Sequence, residues 1–267
     1  MHRRRLLRSL ALAGLGVTAT ACGLRRQEPP GVGGGEATSA DDAPPVEASP
    51  PEEATPEDRS QPEQPDVADE RARPAGRVEV ICREALGLRP AAATDARHRL
   101  DRLTLHHTGV ALETAALAPE RLRRHQEHHQ GQGWSDIAYH YAVDLAGNVY
   151  ELRDPHVPGD TFTDYDTTGH LHVVCEGNFE TQRPPESLLA GVGDLLAALA
   201  RAHGLPVAPL QSHRAYVPTT ACPGQHLRAR LGDLRAHAER QVQDGAAGLE
   251  LTCGDEARQR VAAIEAG

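Results

Sequence analysis

The chain has 267 residues, a formal net charge of −10 and 3% aromatic residues, a length that admits one or two domains. The acidity is concentrated: residues 27–70 carry thirteen acids against Arg59 alone, a net of −12, whereas residues 71–267 carry −4. A folded part of that sign lacks the basic footprint of a nucleic-acid binder, so nucleic acid is excluded as a partner.

The first 22 residues read as an export signal. Arg3, Arg4 and Arg5 form a basic head, and the apolar run from Ser9 to Ala21 is too short to stay in a bilayer as a spanning helix. The run ends in Ala19–Cys22, small residues before a cysteine, which resembles a bacterial lipoprotein cleavage box. Cys22 is therefore expected to become a lipidated N-terminus that anchors the exported chain to a membrane of the cell envelope. Residues 23–76 follow as a Pro- and Glu-rich acidic linker without an aromatic residue. Such a segment buries too little apolar surface to offset the entropy of ordering and is predicted to be disordered.

The folded domain is placed at 77–245, with 246–267 left as a tail that the pattern does not place. Arg102–Thr108 alternates apolar and polar residues and predicts a strand, on which His106 and His107 point to opposite faces. Pro119 opens a helix over Glu120–His129. Ile137–Asp144 and Val149–Leu152 flank Ala146-Gly147-Asn148 and predict a hairpin. Leu171–Gly177 predicts a buried strand. A helix running to His203, with Leu188, Val192, Leu195 and Leu199 on one face, ends at Gly204. Ala208–His213 returns to the sheet, and a last helix after Gly224 carries Leu227, Leu231 and Leu234. Strands interspersed with helices predict an α/β fold, a mixed central β-sheet flanked by helices.

Fifteen histidines make any single one uninformative. Histidines at strand ends beside a cysteine are more telling, because zinc takes neutral imidazole nitrogen and thiolate sulfur, and a catalytic site uses three such ligands. His106 or His107, His213 and Cys222 make up such a set at one end of the sheet. The residue pattern alone leaves metal ligation, a nucleophilic cysteine and an ordinary loop open.

Four pieces occur in order: "LTLHHTG", "GWSDIAYHYAVDLAGNVYELR", "CEGNF" and "SHRAYVPTTACPG". Together they resemble the amidase domain shared by phage lysozyme-type N-acetylmuramoyl-L-alanine amidases and peptidoglycan recognition proteins, over about residues 79–235. The resemblance implies His106, His213 and Cys222 as ligands of Zn²⁺, Tyr139 and Thr220 as catalytic residues, and Trp134 in the substrate groove or as a core anchor. It implies hydrolysis of the amide between N-acetylmuramic acid and L-alanine of peptidoglycan, with muropeptides as the bound partners. The same fold holding muropeptide without cutting it, and a structural lipoprotein joining envelope layers with zinc absent or merely structural, His170 or His172 then being candidates for a fourth ligand, are the competing functions.

Three departures from the family pattern stand out. His213 and Cys222 are nine residues apart where eight is common, which calls for Pro218 to bulge outward. Val157–Asp166 lacks the family's Gly-Ala-His histidine, and Leu86 stands where a tryptophan is usual. His107 is expected to face away from the metal, His128, His129 and His140 to be structural or exposed, and Cys175 to be an apolar filler. Cys82 and Cys253 flank the domain and, in an oxidising compartment, are a candidate disulfide.

Overall fold

The computed structural model describes residues 76–245 and 248–267. The signal at 1–22, Cys22 and the linker as far as 75 lie outside the described residues.

The strands are β1 Arg77–Ile81, β2 Arg102–His107, β3 Tyr141–Val143, β4 Val149–Glu151, β5 His170–Cys175, β6 Gln211–Ser212 and β7 Gly248–Thr252. They form one mixed sheet in the order β6-β2-β5-β3-β4-β1-β7. All neighbours are parallel except the β3–β4 hairpin. The helices are α1 Ala118–Gly131, α2 Glu186–His203, α3 His213–Tyr216, α4 Gln225–Arg228, α5 Leu231–Gln243 and α6 Gly254–Ala266. The expected α/β architecture is borne out.

Alternation along the strands sorts the two faces. Leu103 and Leu105 of β2 and Leu171, Val173 and Cys175 of β5 join Leu188, Val192, Leu195 and Leu199 of α2 and Leu234 of α5 in one buried cluster. Ile81, Ala142, Tyr150 and Val174 face the other way, against Ala118 and Leu122 of α1 and Ala257 and Val261 of α6. Leu86 is fully buried in this second cluster, so its departure from tryptophan concerns packing. Further along the same face, β2 and β5 bury Thr104, His106, His170 and His172 instead of aliphatic side chains. This polar stretch is where the loop 153–169 lies on the sheet: His140 Nε2 is 3.0 Å from the Val157 carbonyl, and Gly159 abuts the His172 ring.

The elements differ from the sequence expectation in three places. Of Ile137–Asp144 only Tyr141–Val143 is strand, because the carbonyls of Asp136 and Ile137 accept from the guanidinium of Arg153. The helix after Gly224 breaks into α4 and α5, with the Arg230 N–H turned back to the Leu227 carbonyl. Residues beyond 245 are not an appendage to the fold. β7 pairs with β1 from Arg77↔Gly248 to Ile81↔Thr252, α6 covers the second cluster, and a Cys82–Cys253 disulfide ties the end of β7 to the end of β1.

Among the described residues no helix is long and apolar enough to cross a membrane.

Candidate metal centre

His106, His213 and Cys222 come from three separate places in the chain: the end of β2, the start of α3 where β6 stops, and the loop before α4. One ligand atom from each lies within 4.8 Å of the other two. Cys222 Sγ is 3.6 Å from His106 Nδ1. Nitrogen at ~2.0–2.1 Å and sulfur at ~2.3 Å from a tetrahedral zinc stand about 3.5–3.6 Å apart, so this pair fits zinc without rearrangement.

The electrostatics agree with that donor set. Burial holds His106 well below the ordinary imidazole range and lowers His213 as well, so both present neutral nitrogen. Burial also pushes the Cys222 thiol up to about 12, against the opposing pull of the His107 backbone N–H that points at its sulfur from 3.4 Å. A thiol so strongly protonated makes a poor free nucleophile, whereas a bound cation removes its proton outright. Among the described residues no fourth His, Cys, Asp or Glu joins the three, and neither His170 nor His172 belongs to the group. Three protein ligands would leave one position of a tetrahedral zinc open, the pattern of a catalytic site.

The nine-residue spacing is absorbed in a turn. The Thr220 N–H bonds the Val217 carbonyl, Arg214 bonds the Thr220 and Cys222 carbonyls, and Pro218 and Thr219 stand exposed. Gly224 then passes so close to another segment that a Cβ there would lie 2.1 Å from the Phe179 carbonyl carbon, and its φ is +90°. Only glycine fits, which accounts for the glycine of Cys-Pro-Gly.

The group opens into a cavity of about 260 Å³ that Tyr139, Thr220 and Trp134 also line. The Tyr139 ring is 5.3 Å from that of His106, and burial raises its hydroxyl further above the ordinary phenol range. Its hydroxyl makes no hydrogen bond to any described residue. Thr220 Oγ1 accepts from the Cys222 N–H at 3.2 Å, a local turn bond that leaves its own proton to donate. Trp134 is half-buried, in contact with His129 at 4.8 Å and Phe162 at 4.4 Å between ring centroids.

Some site residues were not foreseen. The run Val157–Asp166, read as lacking a histidine, supplies Asp160, Thr161, Phe162 and Thr163 to the cavity. Thr163 Oγ1 lies 2.7 Å from His213 Nε2, and Asp160 is ion-paired with the buried Arg153. His129, expected to be structural or exposed, is buried and lines the cavity, with its Nδ1 accepting the Ala138 N–H at 3.1 Å. His107 reaches the cavity wall while its Nδ1 accepts the Phe179 N–H. His140 is a buried structural residue and Cys175 a buried free thiol, as expected. The one available signal for the loop residues was Phe162 itself, a large aromatic side chain amid small polar residues.

The family model for N-acetylmuramoyl-L-alanine amidase matches residues 96–225. The peptidoglycan-recognition protein SD of Drosophila simulans is 31% identical over 159 residues, covering 58% of this chain and 84% of that protein. The chain belongs to the amidase and peptidoglycan recognition protein family. The N-acetylmuramoyl-L-alanine amidase of Sus scrofa is 37% identical over 131 residues, which is 47% of this chain but only 22% of the pig protein. The crystal structure of Drosophila peptidoglycan recognition protein SD superposes with a TM-score of 0.52 at 28% identity, over 56% of this chain and 90% of that one. The family resemblance read from the four motifs is thereby borne out. Because the family holds catalytic and non-catalytic members, membership alone does not assign an activity.

Proposed function

We propose that this protein is an exported zinc-dependent N-acetylmuramoyl-L-alanine amidase that acts on peptidoglycan. The observation that carries this reading is the open three-ligand group of His106, His213 and Cys222 at a cavity shared with Tyr139 and Thr220. Zinc bound there supplies Lewis acidity toward a substrate carbonyl and toward water. Around it, the hydroxyl of the half-buried Tyr139 stays protonated and is free to donate to the oxygen on which charge develops. Thr220, anchored through the Cys222 N–H, directs a second donor into the same space. Trp134, Phe162 and His129 form a wall for the muropeptide. A solved relative, the ectodomain complex of recognition proteins LCa and LCx, is described as binding tracheal cytotoxin and is 27% identical to this chain, which supports a muropeptide as the ligand.

The test is incubation of the purified protein with peptidoglycan, with and without a zinc chelator, followed by mass spectrometry of the soluble products. Stem peptides with a free L-alanine N-terminus are expected, lost on chelation and restored by zinc. A folded, zinc-loaded protein that releases none, yet retains muropeptide affinity, is a binding module instead.

Export to the cell envelope and anchoring through Cys22 belong to the same proposal and rest on the N-terminal sequence. A Cys22→Ser change is expected to move the protein from the membrane to the soluble fraction.

A further inference from the structure

His106 Nε2 lies 2.8 Å from Nδ1 of the buried His172, a residue that does not line the cavity. Both side chains are buried, at 3% and 1% exposure. The other nitrogen of His106, Nδ1, is the one beside Cys222 Sγ. A neutral imidazole carries one proton, and a nitrogen that takes a metal carries none. If Nδ1 serves the metal, the proton sits on Nε2, and the acceptor at hand among the described residues is His172 Nδ1.

The His172 ring is held from several sides. It stacks between the rings of His140 and His170, 5.4 Å from each, at interplanar angles of 12° and 14°. Its backbone N–H bonds His140 Nδ1 at 2.8 Å, which fixes the neighbouring ring in turn. Gly159 presses on the edge: a Cβ there would be 2.5 Å from His172 Cδ2 and 3.0 Å from Nε2. His172 Nε2 is meanwhile buried with no hydrogen-bond partner. Leaving a buried imidazole nitrogen unpartnered costs free energy that an aliphatic side chain of similar size avoids. Packing alone therefore gives no reason for histidine at this position, whereas the bond to His106 does.

We propose that His172 is a positioning residue of the metal centre, whose Nδ1 accepts the Nε2–H of His106 and so fixes the tautomer that presents His106 Nδ1 to the ion. It deepens the reading of the site as a zinc centre and rests on it. Partners of this kind hold ligand geometry, and their loss weakens metal affinity by roughly 10–100-fold.

The test compares zinc affinity of the full chain, by competition with a chromophoric chelator, for wild type, His172→Asn and His172→Leu. Asparagine keeps an acceptor oxygen close to the place of Nδ1, and leucine fills similar volume without one. Circular dichroism establishes that each variant is folded. His172→Leu is expected to bind zinc roughly 10–100-fold more weakly, and His172→Asn to recover most of that loss. Imidazole ¹⁵N spectra of the zinc-loaded wild type supply a readout independent of folding in the variants: His106 is expected to carry its proton on Nε2. A folded leucine variant with wild-type affinity overturns the proposal, as does coordination through Nε2 of His106. A wild type that takes up no zinc removes the metal-centre reading and this inference with it, an outcome distinct from equal affinities across the three proteins.

Discussion

Tyr139 reaches the cavity as a phenol that burial keeps protonated and whose hydroxyl hydrogen-bonds to no described residue. A donor free in the resting site and aimed at a developing oxyanion is the arrangement that acts mainly in the transition state. Tyr139→Phe is therefore expected to lower kcat by about 10²-fold with little change in KM. Steady-state release of L-alanine-terminated peptides measures this, and an unchanged kcat leaves Tyr139 as a packing residue. Phe162 acts differently. It is 65% exposed, yet its ring sits 4.4 Å from Trp134 and 5.8 Å from His128, so it builds the rim without supporting the core. Packed against bound substrate, a rim ring of this kind contributes about 1 kcal/mol, about a fivefold factor in binding. Phe162→Ala should raise KM by that factor with kcat and thermal stability unchanged; a variant with wild-type KM would place the substrate elsewhere. Neither side chain's position was readable from its neighbours in sequence. Tyr139 was named through its motif, while Phe162 sits in a loop whose course depends on Arg153, a residue with no local signature of its role.

At the scale of elements, the loop 153–169 and the β7–α6 unit decide how the sheet is finished. Arg153, 2% exposed, holds the loop by donating to the Asp136, Ile137 and Pro158 carbonyls and pairing with Asp160. Asp136 of the Gly-Trp-Ser-Asp-Ile motif does the same for the other side, accepting from Arg83, Gln126 and the Ile137 N–H. The β7–α6 unit is attached at the sheet edge and carries little core of its own, with β7 mostly exposed and Ala257 and Val261 the buried residues of α6. The Cys82–Cys253 bond, closing 171 residues of chain, offsets that weakness. Cys253→Ser is expected to cost about 2–4 kcal/mol in denaturant unfolding, with amide exchange accelerating first in β7 and α6. An unchanged midpoint would show that strand pairing suffices alone. The sequence singled out both cysteines from their placement about the domain, but β7 was not legible: a short edge strand has neither a full buried face nor a helical period to announce it.

For the molecule as a whole, Glu176 links stability to pH. It is fully buried at the end of β5, and neither carboxylate oxygen has a hydrogen-bond partner of good geometry. On α1, His125 Nε2 lies 3.6 Å from it and is equally unpartnered, and the Arg121 charge acts against the burial. Burial pushes Glu176 up to about 8 and His125 down to about 4, so both are neutral around pH 6 to 7. A carboxyl with a raised folded pKa binds more protons when folded than when unfolded, so stability falls as pH rises from about 4.5 toward about 8. A histidine with a depressed folded pKa costs stability as pH falls from 6.5 through about 4. Glu176→Gln is expected to flatten the alkaline limb of a Tm-versus-pH curve while leaving the acid limb in place. The same slope in both proteins would assign that limb to other groups.

The sequence by itself determined the alternation and helical periods that build an α/β sheet, the family, and the residue types of the candidate site, because local periodicity and motif chemistry are written in neighbouring residues. It also carried the N-terminal pattern on which the proposed export and anchoring rest, outside the described residues. Only the tertiary structure decided that His106, His213 and Cys222 meet within 4.8 Å. It likewise brought Phe162 to the cavity, joined 248–267 to the sheet, and set His172 against His106 rather than in mere packing. Each of these depends on contacts between residues from about thirty to more than a hundred positions apart. Such contacts form only when the whole sheet is assembled, through the crossovers that place β5 and β6 on either side of β2.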